Sequence, residues 1–193
     1  MSAARAPDTV TRRRRPDPLL FGTVAFLSSE LMFFGGLFAA YFTLRAVSAV
    51  WPPADVRLEV VEPAIATILL VISSFTMQHA LTRARAGDLD GMRRWVGITA
   101  VLGVLFLSSQ VRTWLAADFG VSSNAYGTMF YGMTGFHALH VAAGIVLMLV
   151  VLGRAAQGAY RDGRLSGLEA VTYYWHFVDV VWIALFATIY LIR

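Results

Sequence analysis

Among the polar side chains inside stretches otherwise apolar enough to lie in a membrane, eight stand out: Glu30, His79, Gln110, Arg112, His137, His140, His176 and Asp179. Imidazole and carboxylate move protons and ligate metals, so these residue types bound the chemistry open to the chain. His137 and His140 lie three residues apart, as do His176 and Asp179, so on a helix each pair shares a face. An Asp so placed can fix the tautomer or the charge of its His. Two such pairs invite a metal reading, but four histidines are few for a haem or di-iron enzyme. The competing reading is that these groups hydrogen-bond between helices and hold a bundle in register. There is no cysteine, which excludes disulfides, iron–sulfur clusters, covalent haem attachment through CxxCH and thiolate-based copper sites.

The elements that carry these residues follow from composition. Hydrophobic residues make up 58% of the 193 and charged ones only 15%, too apolar for a surface facing water. A span needs about 20 mostly apolar residues, since a helix rises about 1.5 Å per residue across a core of about 30 Å. Five stretches qualify: Leu19 to Ala46, Pro63 to Thr82, Trp95 to Trp114, Tyr126 to Leu152 and Ala170 to Ile192. They must be helices, because lipid offers backbone groups no partner and no alternating barrel pattern occurs. The fold expected is an all-α bundle of five transmembrane helices over residues 19–193, behind a basic, disordered cytoplasmic tail at 1–18. A cleaved signal peptide does not fit, since the first apolar stretch is too long, carries Glu30 and precedes four more spans.

All 16 basic residues are arginines, and 12 fall in the tail (Arg5, Arg12 to Arg15), the second loop (Arg83, Arg85, Arg93, Arg94) and the fourth loop (Arg154, Arg161, Arg164). Five crossings put those segments on one side, which the positive-inside rule makes cytoplasmic. The amino terminus is therefore expected inside and the carboxy terminus outside, in the cell membrane. The first loop, with Asp55, Glu59 and Glu62, and the third, around Asp118, face out. The net charge of +4 calls for no nucleic acid.

Counting from the cytoplasmic helix ends, Glu30, His137, His140 and Asp179 lie roughly 13 to 22 Å deep, His176 about 9 Å, and His79 near the inner surface. Arg112 is expected to snorkel to the outer headgroups. Glu30, alone in hydrocarbon, would favour its uncharged form unless an imidazolium stands nearby. Its reading stays open between a hydrogen-bonding strut and a role in proton handling or lipid contact. Gly35, Gly36, Ala39 and Ala40 form a small-residue face suited to close helix approach. Phe33, Phe34, Phe38 and Phe42 are read as packing toward lipid or a partner.

The strings SSELMFFGGLFAAYF in the first span, WPP after it, AYGTMFYGMTGFHALHV in the fourth and YYWHFVDVVWIALFATIYLIR in the last resemble the successive signatures of the cytochrome c oxidase subunit III family. The resemblance runs from about Leu19 to Arg193. It is to the five-helix, actinobacterial-type form, which lacks the first two helices of longer members. It implies an accessory subunit with no active site and no metal of its own, in an aa3-type oxidase that oxidises cytochrome c, reduces oxygen to water and moves protons. It further implies partners in the catalytic subunit I and in subunit II, which carry haem a and copper, and a bound phospholipid. Glu30 matches the family's intramembrane carboxylate, His137 and His140 its FHxLH motif, and His176 and Asp179 its WHFVD motif. These five are the proton-related or lipid-contacting candidates. Gln110 is followed at Thr113 by no Glu, where many members have one, and Ala138 replaces the second glycine of GFHGLH. Subunit III of a quinol oxidase and an accessory subunit of nitric oxide reductase are close alternatives. A freestanding metal-dependent membrane enzyme and a transporter are more distant ones.

Overall fold

The computed structural model describes residues 17–54 and 56–192. The basic tail with Arg5 and Arg12 to Arg15, its expected disorder, and Asp55 lie outside the described residues. Five long helices, α1 (Pro18–Val47), α2 (Val61–Arg85), α3 (Leu89–Ala116), α4 (Ala125–Ala156) and α5 (Ser166–Phe186), account for nearly all of it, and α5 runs on into a π turn, Ala187–Leu191. All five are long and apolar enough to cross a membrane, and the described residues contain no strand.

Capping residues set where the helices begin, outside the apolar stretches themselves. Asp17 accepts from the Leu19 amide at 2.9 Å with Pro18 in the first turn, where a missing N–H costs nothing. Asp88 caps α3 through Gly91 N at 2.8 Å, so α3 begins well before Trp95. Asn124 caps α4 through Gly127 N at 2.7 Å. Between α2 and α3 the chain reverses in Ala86 to Asp88, with Gly87 at φ 81°, a left-handed turn that a side chain would strain. Asp17 also accepts from the Ser166 hydroxyl, which ties the start of α1 to the start of α5. That hydroxyl first, and the Leu19 amide second, hold the Asp17 carboxyl below its usual range.

Helices α2, α3, α4 and α5 form a closed ring in which α2 meets α3 and α5, and α4 meets α3 and α5. Helix α1 leans on the outside, against α4 and α5, and buries only Phe34 and Tyr41. The ring closes on Trp175, which is fully buried and donates from Nε1 to Ser73 Oγ of α2 at 2.9 Å. Its indole lies on two glycines: a Cβ built on Gly103 of α3 would come within 2.8 Å of it, and one on Gly144 of α4 within 2.7 Å. Trp182, two turns on, repeats the device by donating to Thr67 Oγ1 of α2 at 2.9 Å. At the far end of the bundle Tyr41 donates to the Thr188 carbonyl at 3.3 Å and Tyr126 to the Ile189 carbonyl at 3.5 Å, so carbonyls of the π turn accept from α1 and α4.

One end of the bundle gathers Arg83, Arg85, Arg93, Arg94, Arg154, Arg161 and Arg164 beside the start of α1. There Arg85 meets Glu169 at 2.7 Å and Arg93 donates to the Ala155 carbonyl. At the opposite end Arg112 pairs with Glu62 at 2.8 Å, and Ser109 donates to the same carboxylate at 3.3 Å. Snorkelling thus describes only part of Arg112: its side chain is largely exposed, yet its guanidinium is held by the first turn of α2.

Because the Trp175 seat requires hydrogen at Cα, Gly144→Ala is expected to destabilise the chain by about 1–3 kcal/mol through overpacking. Gly35→Ala, with no atom within 4 Å of the added methyl, should cost nothing or gain through helix propensity. Thermal unfolding of both variants in detergent checks the contrast.

Candidate functional site

Glu30, His137, His140, His176 and Asp179 divide among three places, because the helices that carry them face different neighbours.

The first is the groove between α1 and α4. Here Glu30 Oε2 lies 3.0 Å from His140 Nε2, both side chains only partly exposed. His140 Nδ1 lies 2.7 Å from the Phe136 carbonyl oxygen of its own helix. A carbonyl can only accept, so Nδ1 carries a hydrogen, and the neutral ring then offers Nε2 as an acceptor. The contact with Glu30 therefore contains one proton, held either by a carboxylic acid donating to imidazole or by an imidazolium donating to carboxylate. In both forms the pair is neutral as a whole, which is what hydrocarbon demands. Tyr174 of α5 donates to the His140 carbonyl at 3.1 Å, and Phe34 sets its ring edge to His140 at 5.1 Å. Glu30 is thus not alone, as its span by itself implies, but is met by an imidazole from a helix more than a hundred residues away.

The second place is the ring interior. His137 is fully buried, stacked on Trp182 at 4.9 Å and edge-on to Phe106 at 5.7 Å, with neither ring nitrogen in a hydrogen bond. It shares a helix with His140, but the offset of three residues is enough for one ring to enter the core while the other reaches α1. The third place is the outward-facing seam of α2 and α5. His176 there contacts Ser74 Oγ at 2.5 Å through Nδ1 and Gln78 Oε1 at 3.2 Å through Nε2, while Asp179 lies buried beside them. His79 belongs to none of these, taking the Arg83 Nε–H at 3.2 Å and meeting the Trp95 edge at 4.7 Å. Among the described residues no three of His, Asp and Glu gather as a metal site would require.

A cleft of about 780 Å3 opens between α1, α4 and α5 on the arginine-rich side of the Glu30–His140 pair. Its walls are apolar, with Phe26, Leu147 and Val150 along it, and Arg154 and Tyr160 stand at its mouth. Burial pushes the Tyr160 phenol up, against a smaller opposing pull from Arg154, so the phenol remains a donor. Sequence reasoning passed over Ser74, Gln78, Tyr160 and Tyr174. The hydroxyls are common in membrane helices and become informative only when the pairing of α2 with α5 is known. Gly35, Gly36, Ala39 and Ala40 are exposed, so nothing among the described residues covers that face, and of the aromatic stripe Phe34 turns inward.

The family model described as cytochrome c oxidase subunit III matches residues 13–192. The chain belongs to that family. It is similar to the probable cytochrome c oxidase subunit 3 of Mycobacterium tuberculosis (strain H37Rv), 43% identical over 183 residues, which span 93% of this chain and 90% of that one. The subunit 3 of Corynebacterium diphtheriae is 43% identical over 97% of this chain and 95% of its own length. That of Thermostichus vulcanus is 42% identical over 92% and 89%. The Glu30–His140 pair therefore joins two of the strings on which the family resemblance rests, SSELMFF and GFHALH.

Leucine substitutions of Glu30 and His140, made singly and together, should give a coupling energy of about 0.5–2 kcal/mol in a double-mutant cycle of detergent unfolding. The same cycle on Glu30 and His137 should give a value near zero.

Proposed function

We propose that this subunit III is an accessory, non-redox component of an aa3-type cytochrome c oxidase, packed beside the catalytic subunit I and in one complex with subunit II. The observation that carries the reading is the family match over nearly the whole chain, with relatives named cytochrome c oxidase subunit 3 covered almost end to end. Haem a and copper are assigned to the partner subunits. The chain has no thiolate, and its histidines are spread over separate sites, so its own residues do not fit either group.

Two tasks are assigned to the chain's own residues. The cleft of α1, α4 and α5 suits one phospholipid: its apolar walls match acyl chains, and Arg154 with the Tyr160 hydroxyl offers a cation and a donor to the phosphate. The Glu30–His140 pair suits upkeep of proton uptake, since it stores one proton and can exchange its position between acid and imidazole without leaving net charge in the membrane. His137 serves as buried packing beside that pair. The arginine-rich end is assigned to the cytoplasm, which places the amino terminus inside and the carboxy terminus outside.

Gentle detergent extraction tests the whole reading. A haem-bearing oxidase that turns over cytochrome c should accompany the chain, and isolation of a haem-free chain from intact membranes would defeat it. Native mass spectrometry of the purified complex should show one phospholipid retained, and Arg154→Leu should lower its occupancy. Cysteine labelling should reach position 59 of Glu59→Cys from outside and position 93 of Arg93→Cys from inside.

Glu30→Gln is expected to assemble, because its amide can donate to His140 Nε2 in place of the acid, but to shorten the turnover lifetime or slow proton uptake. Glu30→Lys should impair assembly, since it sets a cation against the His140 ring. Full assembly of Glu30→Gln with unchanged initial rate, proton uptake and lifetime would reduce Glu30 to a packing strut.

A further inference from the structure

Four polar side chains meet in the seam between α2 and α5, beside a cavity of about 420 Å3: Ser74 and Gln78 from α2, His176 and Asp179 from α5. Asp179 is 3% exposed, and both of its carboxyl oxygens are closed to the surroundings. Ser74 is the side chain that partners this carboxyl, in a contact looser than a formed hydrogen bond. The same hydroxyl lies 2.5 Å from His176 Nδ1, and His176 Nε2 lies 3.2 Å from Gln78 Oε1.

This order places the protons. An amide oxygen only accepts, so Nε2 carries a hydrogen, the neutral imidazole offers Nδ1 as an acceptor, and the one proton of Ser74 goes to it. The Ser74 oxygen then meets Asp179 with lone pairs only, so the contact closes when the carboxyl supplies the proton. An ionised carboxyl there would be a buried charge without a donor, which hydrocarbon makes costly. Donation therefore runs from Asp179 to Ser74, from Ser74 to His176 and from His176 to Gln78, with no net charge.

The order can be reversed without adding charge. As the acid proton passes to Ser74 Oγ, the Ser74 hydrogen passes to Nδ1: the carboxyl O–H and the first serine O–H break, and a new serine O–H and an N–H form. Asp179 becomes carboxylate, His176 becomes imidazolium, and Ser74 remains a hydroxyl. His176 and Asp179 are the only ionisable groups among the residues lining the cavity. Those of the helices packed against α5 are engaged elsewhere: Glu30 with His140, His137 on Trp182, His79 with Arg83, and Arg85 with Glu169. Helix α5 starts at the arginine-rich end, so His176 lies one turn nearer that end than Asp179. His176 is partly exposed, whereas Asp179 is not, so protons reach the carboxyl through the imidazole.

We propose that Asp179, Ser74 and His176 form a second proton-holding site, in which the Ser74 hydroxyl relays one proton between a buried carboxyl and an imidazole on the arginine-rich side. The site is separate from the Glu30–His140 pair and is built from this chain alone.

Infrared spectroscopy of the full chain, purified in detergent, tests it. At neutral pH the parent should show a protonated carboxyl C=O band that Asp179→Asn removes, and the band should shift in deuterium oxide as the acid hydrogen exchanges. Ser74→Ala should slow that exchange by about a hundredfold, because no positioned hydroxyl hands the proton on. His176→Phe should slow it similarly, while Ser74→Thr, which restores a hydroxyl, should return the parent's rate. Identical spectra of parent and Asp179→Asn would overturn the proposal, since the carboxyl would then be ionised. Exchange in Ser74→Ala as fast as in the parent would also overturn it, by showing that water reaches the acid directly. Should Ser74→Ala fail to fold, the other two variants decide: parent-like exchange in Ser74→Thr with slow exchange in His176→Phe supports the relay, and any other combination overturns it.

Discussion

The seating of Trp175 is the contact on which the arrangement depends. Helices in a bilayer gain little from hiding apolar surface from one another, since lipid is as apolar as leucine, so association relies on close packing and on hydrogen bonds made in hydrocarbon. Trp175 uses both: its indole fills the space left by hydrogen at Gly103 and Gly144, and its N–H finds Ser73. One side chain of α5 thereby fixes the distance to α2, α3 and α4. Successive residues on a helix point about 100° apart, so its neighbours in sequence are aimed by the same event. Tyr174 turns toward α4 and holds the carbonyl of His140, while His176 turns toward α2 and meets Ser74 and Gln78.

The polar residues follow from that frame, because each has to be neutral or paired where its helix leaves it. Glu30 and His140 satisfy the condition between themselves with one shared proton, and they do so on the helix that is least embedded in the bundle. Helix α1 is held by that pair, by Asp17 with Ser166 at one end and by Tyr41 with Thr188 at the other, rather than by a buried apolar face. The Glu30–His140 pair thus lies on the helix that buries least of itself in the bundle.

Helix number, the all-α class and the family were legible in the sequence, because hydrocarbon thickness and backbone satisfaction leave few alternatives and the motif strings are long. The site was legible in part. Spacing of three predicted that His137 shares a face with His140, yet the core admits one ring and α1 takes the other. Which histidine meets Glu30 depends on the packing of α1 against α4, a contact across more than a hundred residues that periodicity cannot carry. Arg112 shows the same limit. Its nearness to Trp114 pointed to the headgroups, and the carboxylate that holds it, Glu62, sits at the start of another helix. Thr113 stands where the family resemblance leads one to expect a Glu, and the carboxylate near that end comes from α2 instead.

Two of the cavities differ in the order of their lining. The cleft beside α1 is long, apolar along its walls and charged only at its mouth, the polarity of a phospholipid laid along the bundle. The seam of α2 and α5 is smaller and reverses that order, polar at mid-depth with an apolar rim. No lipid has its polar group in the middle of the bilayer, so polar side chains at that depth have to satisfy one another, as Ser74, His176 and Gln78 do. Helix α5 lines both cavities, with Trp175 buried at its centre. Through Tyr174 and His176, α5 reaches both the His140 carbonyl and the Ser74–Gln78 seam within a single turn of helix.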